Sequence, residues 1–277
     1  MLRIGAHVSI DSNLSNTVIR VSSPRCRIIQ IFLGSPIRAG NRAVKSYVEE
    51  SQQIRQTCGL RDMQIVIHSP YIINLANEIL TWETPLLCQE LYIANSIGAI
   101  GCVLHVGKHK TLSVQTGTTN MIRNVRSFLR YMQINNLQTF LIIETSTGQG
   151  TELLATRNNS LSDLAGFYSE FSEDEKRHLR LCIDTCHIFA AGYDIRRPEQ
   201  VRTFFATFDV LIGLRYIALI HLNDSQGGCG SGVDRHANIG TGNIGTEGLL
   251  QFIRLAAQYN IPVVLETPNA YEELSRL

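Results

Sequence analysis

No apolar run in this sequence approaches the roughly 20 residues of a membrane-spanning helix, so a transmembrane segment is not expected. Its 7 cysteines are odd in number and include no Cys-x-x-Cys pair, which speaks against a small disulfide framework. Cys102 and Cys182 lie in apolar runs, where small buried thiols are ordinary. A reducing compartment is the simplest reading. The opening "MLRIGAHVS" enters a strand pattern at once and leaves no room for a signal peptide. We therefore expect a soluble intracellular protein with no membrane partner. Charge of one sign is also missing, since the formal net charge is +1. A polyanionic partner must then be argued from a site, because a local patch attracts phosphates whatever the average. No Pro/Gly/Ser-rich linker divides the 277 residues, and we expect one domain spanning 1–277.

What is present is a composition suited to a filled core, 44% hydrophobic against 18% charged. Short apolar runs alternate with longer amphipathic stretches. The strand candidates are Arg3–Ser9, Ile28–Gly34, Met63–Ser69, Cys102–Gly107, Thr139–Thr145, Leu179–Thr185, Ile217–Asp224 and Pro262–Thr267. They are rich in Ile, Val and Leu without clean alternation, as strands covered on both faces are. Between them, stretches such as "AVKSYVEESQQIRQT" and "TEGLLQFIRLAAQY" repeat apolar residues at three- and four-residue steps. Eight such units in this length predict an α/β fold, a (β/α)8 TIM barrel. A doubly wound open sheet is the alternative.

The ends of these strands carry His7, His68, His105, Glu144, Asp184, His221 with Asp224, and Glu266. In a barrel all C-terminal strand ends open on one face, where the active sites of this fold lie. One such residue alone would read as structural. Asp184, for example, could be a helix N-cap with His187 packed behind it. Convergence on one rim favours a metal site instead. The pair Asp234 and His236 joins the ring, because residues two apart in extended backbone point to one side.

Imidazole and carboxylate ligands without thiolate suit zinc, with manganese or iron as substitutes. Magnesium and calcium prefer sites made of oxygen alone. The ligand count suggests two or three ions, and Glu144 could bridge two of them. Such a centre suits phosphoester hydrolysis. Ions roughly 3.5–4 Å apart activate a water and clamp the attacking and leaving oxygens. No nucleophilic Ser or Cys is needed.

The blocks "GAHVS", "HSPYIINLA", "ETSTGQG", "CIDTCHIFAAGYD", "HLNDS", "GSGVDRHANIGTGNIG" and "VLETP" together resemble the endonuclease IV family of zinc-dependent apurinic/apyrimidinic endonucleases. The resemblance runs in order from residue 4 to about 268. It implies three zinc ions: His68 and His105 on the first, which shares Glu144 with the second; Asp184, His221 and Glu266 on the second; His187, Asp234 and His236 on the third. Glu144 and Glu266 are the candidate catalytic carboxylates, and His7 would orient a ligand by hydrogen bond. The implied reaction is cleavage 5′ to an abasic site in double-stranded DNA, leaving a 3′ hydroxyl, with trimming of blocked 3′ ends.

Family members bend the duplex and flip out the abasic nucleotide. Tyr71 and Ile72 match the wedge positions, and apolar or aromatic wedges suit the unstacking of a base step. Where the family has a Gln-Arg-Gln-like segment this chain has "GSPIRAGNR", with Arg38 as candidate for the inserted arginine. Lys108 and His109 are candidates for phosphate contacts, against the alternative of a solvated turn. A monomer is expected.

"GTGNIG" (Gly240–Gly245) spells the dinucleotide fingerprint, but late in the chain and after a ligand loop rather than inside an early βαβ unit. No nicotinamide cofactor is expected. These glycines read as letting the loop turn tightly beside the metal ions and phosphate. His178 precedes its strand and belongs to the opposite face. The enzymatic rival is a metal-dependent sugar isomerase on a similar barrel, whose carboxylate-dominated sites contrast with the histidine-rich ring. The other rival, a lesion-binding protein without turnover, would be expected to lack a ligand, and none is missing.

Overall fold

Each predicted apolar run forms a strand, trimmed by a few residues at its ends. The strands are β1 (Ile4–His7), β2 (Ile28–Ile31), β3 (Gln64–His68), β4 (Gly101–Leu104), β5 (Phe140–Glu144), β6 (Leu179–Asp184), β7 (Ile217–His221), β8 (Asp224–Ser225), β9 (His236–Ala237) and β10 (Val263–Leu265). In the computed structural model, which describes residues 2–39, 44–156 and 160–275, all but β8 and β9 pair in parallel. They close into a barrel in the order β1-β2-β3-β4-β5-β6-β7-β10. Closure is made by β1, which pairs with β2 on one side and β10 on the other. The open-sheet alternative is excluded by that contact.

Two apolar clusters explain why the runs lacked alternation. Ile29, Ile31, Ile65, Ile67, Leu141 and Ile143 face outward and pack under the helices. Ile28, Val66, Val103, Ile142, Cys182, Leu219 and Val264 form a separate cluster, one residue from each barrel strand but β1. That cluster fills the barrel interior. On β1 the place is taken by Gly5, where a Cβ would collide with the Ile28 carbonyl oxygen.

Side chains on a strand return to the same face every second residue. Two positions past the apolar plug, the same interior face therefore carries His7, Gln30, His68, His105, Glu144, Asp184, His221 and Glu266. The barrel register stacks a polar layer on an apolar one.

The elements follow the sequence pattern with two differences. The stretch read as continuous around residues 43–57 is two helices, Val44–Glu49 and Ser51–Arg61, with Glu50 between them at φ −88° and ψ 0°. Asp224, expected at the end of the seventh strand, has left the barrel. It pairs with Ala237 in the short antiparallel ladder of β8 and β9. Among the described residues no helix is long and apolar enough to cross a membrane.

Candidate metal centre

Together with His187, Asp234 and His236, the polar layer forms three groups of imidazole and carboxylate donors within each of which every atom lies no more than 4.8 Å from the others, and two further groups of that kind include Cys182 or Cys186. In the first, His105 Nε2 lies 3.1 Å and His68 Nε2 3.4 Å from Glu144 Oε2. In the second, His221 Nδ1 lies 2.8 Å from Glu144 Oε1, 3.2 Å from Glu266 Oε2 and 3.8 Å from Asp184 Oδ2. In the third, His187 Nε2 and His236 Nε2 lie 3.3 and 3.4 Å from the same oxygen, Asp234 Oδ1. Glu144 thus turns one oxygen to each of the first two groups. Asp184 Oδ2 also reaches His236 Nε2 at 3.6 Å, linking the second group to the third.

Asp184 caps a helix with one oxygen and turns the other toward the second group. Its Oδ1 accepts from the backbone N–H of His187 at 3.0 Å, capping the helix Thr185–Ala190. Its Oδ2 faces the cluster. The cap fixes His187 relative to Asp184, so one turn of helix sets the spacing between two groups.

Hydrogen bonds select the tautomer of four imidazoles. His68 Nδ1 meets the Ser69 carbonyl at 2.7 Å and His187 Nδ1 meets the Thr145 carbonyl at 2.7 Å. His236 Nδ1 faces the Glu266 carbonyl at 3.4 Å. A carbonyl only accepts, so each Nδ1 carries the proton and each Nε2 keeps a lone pair. His221 is reversed. Gln30 Nε2 donates to Glu266 Oε1, which turns Gln30 Oε1 toward His221 Nε2 at 2.8 Å. That nitrogen donates, and Nδ1 faces Glu144 Oε1 at 2.8 Å. In every case the free nitrogen is the one aimed at its group. The Nε2 atoms of His187 and His236 are buried without a hydrogen-bond partner. Lone pairs held this way, converging with carboxylates, fit a divalent cation.

The charges agree. Burial alone would raise Glu144, but His221, His105 and His187 hold it well below the usual carboxylate range. Burial likewise works against Glu266, yet His221 brings it down to about 2. His187 would be lowered by burial, and Asp184 with Glu144 instead lifts it well above the ordinary imidazole value. Asp184 itself is raised by burial. The carboxylates therefore demand positive charge at these nitrogens. A proton and a metal ion compete for it.

The three groups open into a cavity of about 530 Å³ lined by Tyr71, Ile72, Lys108, Lys110, Gln149 and Arg235 beside all the candidate ligands but Asp184 and His221, which lie beneath it. Tyr71 packs edge-on to His68 with ring centroids 5.4 Å apart and lies 5.2 Å from His105, yet stays 49% exposed. Ile72 beside it is exposed too. The Tyr71 N–H donates to the Pro36 carbonyl, tying the loop after β3 to the loop after β2. Arg38 is exposed two residues further on, and residues 40–43, which include the end of "GSPIRAGNR", lie outside the described residues. A larger groove of about 920 Å³ along the helix Val114–Ile134 contains His178 and none of the candidate ligands.

His109 is not brought to the cavity. Its Nδ1 bonds the Leu112 carbonyl at 2.7 Å within the turn, and Lys110, at φ 54°, reaches the cavity instead. Lys108 does line it, with its ammonium 3.4 Å from Glu152. His7 belongs to none of the three groups and bonds Gln30 at 3.1 Å. Asp224 faces its own loop: Ser225, Gly240, Gly242, Ile244 and Gly245 donate backbone N–H groups to its two oxygens. The glycines of "GTGNIG" thus enclose the Asp224 side chain.

Three contributors carried no signal in the sequence reading. Gln30 is next to last in β2, the one barrel strand whose end bears no histidine or carboxylate. Asn223 donates to Asp184 Oδ2 at 2.6 Å and accepts from the Glu266 N–H at 2.8 Å. Thr145 Oγ1 accepts from the Asp184 N–H at 2.9 Å.

Comparison with known proteins agrees with this geometry. The xylose isomerase-like TIM barrel family matches residues 26–276. Putative endonuclease 4 of Acanthamoeba polyphaga mimivirus is 34% identical over 277 residues, covering 96% of this chain and 85% of that one. The crystal structure of endonuclease IV from Thermus thermophilus superposes with a TM-score of 0.80 at 28% identity, covering 99% of this chain and 95% of the other. A D-tagatose 3-epimerase-like protein superposes at 0.70 with 13% identity, over 99% of this chain and 95% of that one, and so shares the fold alone. The protein is thus a TIM barrel with clustered candidate metal ligands, and its sugar-isomerase likeness ends at the fold. The chain belongs to the endonuclease IV family, metal-dependent hydrolases that cleave DNA.

Proposed function

We propose that the chain is a zinc-dependent apurinic/apyrimidinic endonuclease of base-excision repair. It hydrolyses the phosphodiester 5′ to an abasic site in double-stranded DNA, leaves a 3′ hydroxyl, and trims blocked 3′ ends. His68, His105 and Glu144 would hold one zinc; Glu144, Asp184, His221 and Glu266 a second; His187, Asp234 and His236 a third. Manganese is the substitute such a donor set would accept. The observation that carries the reading is the convergence of free imidazole nitrogens and carboxylate oxygens in three groups at the floor of one cavity. All three groups are complete within one chain, which supports a monomer acting through a single domain.

Bound at such sites, zinc activates water and neutralises the attacking and leaving oxygens of an in-line displacement. The chain's own part is charge and orientation. Glu144 and Glu266, both held low, stay ionised at neutral pH and act as fixed anionic anchors rather than as stores of a proton. Asn223 and Gln30 keep Glu266 from rotating. Tyr71 and Ile72, exposed at the rim, supply the wedge for the abasic nucleotide, and Arg38 the inserted cation. Lys108 contributes a phosphate contact on the cavity wall, and His109 does not.

The test is nicking of a duplex that carries one abasic site. Cleavage 5′ to the lesion should vanish with a strong zinc chelator and return on adding zinc. Cleavage that persists in chelator, or zinc-loaded protein that leaves the duplex intact, would overturn the proposal.

A further inference from the structure

The loop from Gln226 to Gly245 carries Asp234 and His236, and it is folded around one buried side chain. Asp224 Oδ2 accepts from Gly240 and Gly242 at 3.0 Å each, and Oδ1 from Ser225 at 2.8 Å and Ile244 at 2.9 Å. Gly245 donates to both oxygens at 3.3 Å. Asp224 is fully buried, and none of the three candidate groups uses it. Successive backbone N–H groups curled around an anionic oxygen pair form a nest. Here the occupant comes from the chain itself.

The nest acts at short range on the third group. Asp224 pairs with Ala237, and Ser225 with His236, across β8 and β9. Gln226 N–H donates to Arg235 O at 2.9 Å, and Asn243 N–H to Ser225 O at 2.7 Å. Fixing residues 240–245 to Asp224 therefore presses the returning chain onto the rung that holds His236. The fit is tight: a Cβ at Gly242 would fall 2.5 Å from Asp224 Oδ1. Glu273 holds the adjacent Ile239 N–H, but it touches neither β8 nor the nest.

We infer that Asp224 is the positioning residue of the His187–Asp234–His236 group, setting where Asp234 and His236 stand without touching the ion, an inference that rests on the metal reading of the site. Asparagine at 224 would turn an N–H₂ donor against N–H donors and break one side of the nest. Loss of such supporting bonds weakens metal binding about 10–100-fold.

The experiment compares full-length wild type with Asp224→Asn and Gly242→Ala. It measures zinc content after equilibration with a competing chelator and follows the imidazole resonances during zinc titration. Wild type should retain three zinc ions and both variants two. The His187 and His236 signals should stop responding while those of His68 and His105 still shift, with an unchanged circular dichroism spectrum. Should Asp224→Asn fail to fold, Gly242→Ala alone decides, since it displaces the carboxyl without removing it. Variants that hold all three ions with wild-type affinity sink the role of Asp224. Wild type that takes up no zinc sinks the metal reading itself.

Discussion

Gln30 Oε1 lies 2.8 Å from His221 Nε2, and this contact turns the other ring nitrogen, Nδ1, toward Glu144. Replacing Gln30 with leucine removes it together with the bond to Glu266. The second group should then bind zinc about 10–100-fold more weakly, with the barrel intact. Chelator competition on the purified variant checks this. A wild-type affinity would mean that the imidazole is held by packing alone.

Glu144 offers the shared carboxylate. With Glu144→Ala the first and second groups lose their common oxygens, and cleavage should fall by more than about 100-fold, beyond the effect of losing a supporting residue. Zinc content should drop with it. Near-normal turnover on abasic duplex would refute the bridging role.

Lys110 and His109 separate in their contact with DNA. Lys110→Ala should weaken duplex binding and make the slope of log affinity against log salt shallower by about 0.9, the signature of one lost phosphate contact. His109→Ala, whose ring faces the Leu112 carbonyl, should leave that slope unchanged. Titrations at several salt concentrations distinguish the two, and the reverse pattern would restore His109 to the interface.

Glu90 sits behind His68, fully buried, with Ser69 Oγ donating to it at 2.6 Å and its other oxygen without a partner. Burial pushes its carboxyl up from 4.5 to about 8. The folded chain therefore keeps a proton that the unfolded chain gives up above about 4.5. This contribution to stability is complete below that pH and is lost as pH rises toward 8, at up to about 1.4 kcal/mol per pH unit. Glu90→Gln should remove the slope and leave the protein more stable than wild type at alkaline pH. Thermal unfolding at pH 5 and 8.5 in saturating zinc reads it, and parallel profiles would show Glu90 to be ionised in the folded state.

Much of the architecture was legible because it follows from local repetition. The barrel strands are apolar runs, and both their faces are buried, so they read clearly. Five of them end on a histidine or an acid and two more are followed directly by one, which pointed to the rim. What was not legible involved partners far apart in the chain. Gln30 meets His221 across 191 positions, and a neutral amide at a strand end carries no mark of that. Asp224 stood three residues from His221 and looked like a member of the ring until the chain turned out of the barrel. His109 turns its ring to the Leu112 carbonyl, and Lys110, in left-handed backbone, lines the cavity.

The order of residues along the chain settled which side chains could reach the C-terminal rim, since a strand returns to one face every second position. Closure of the barrel settled the rest. Only when β1 meets both β2 and β10 do the strand ends stand in register. Only then do hydrogen bonds with Gln30, Thr145 and Asn223 hold Asp184, His187, His221 and Glu266 in their groups, because those bonds join segments that the sequence keeps far apart.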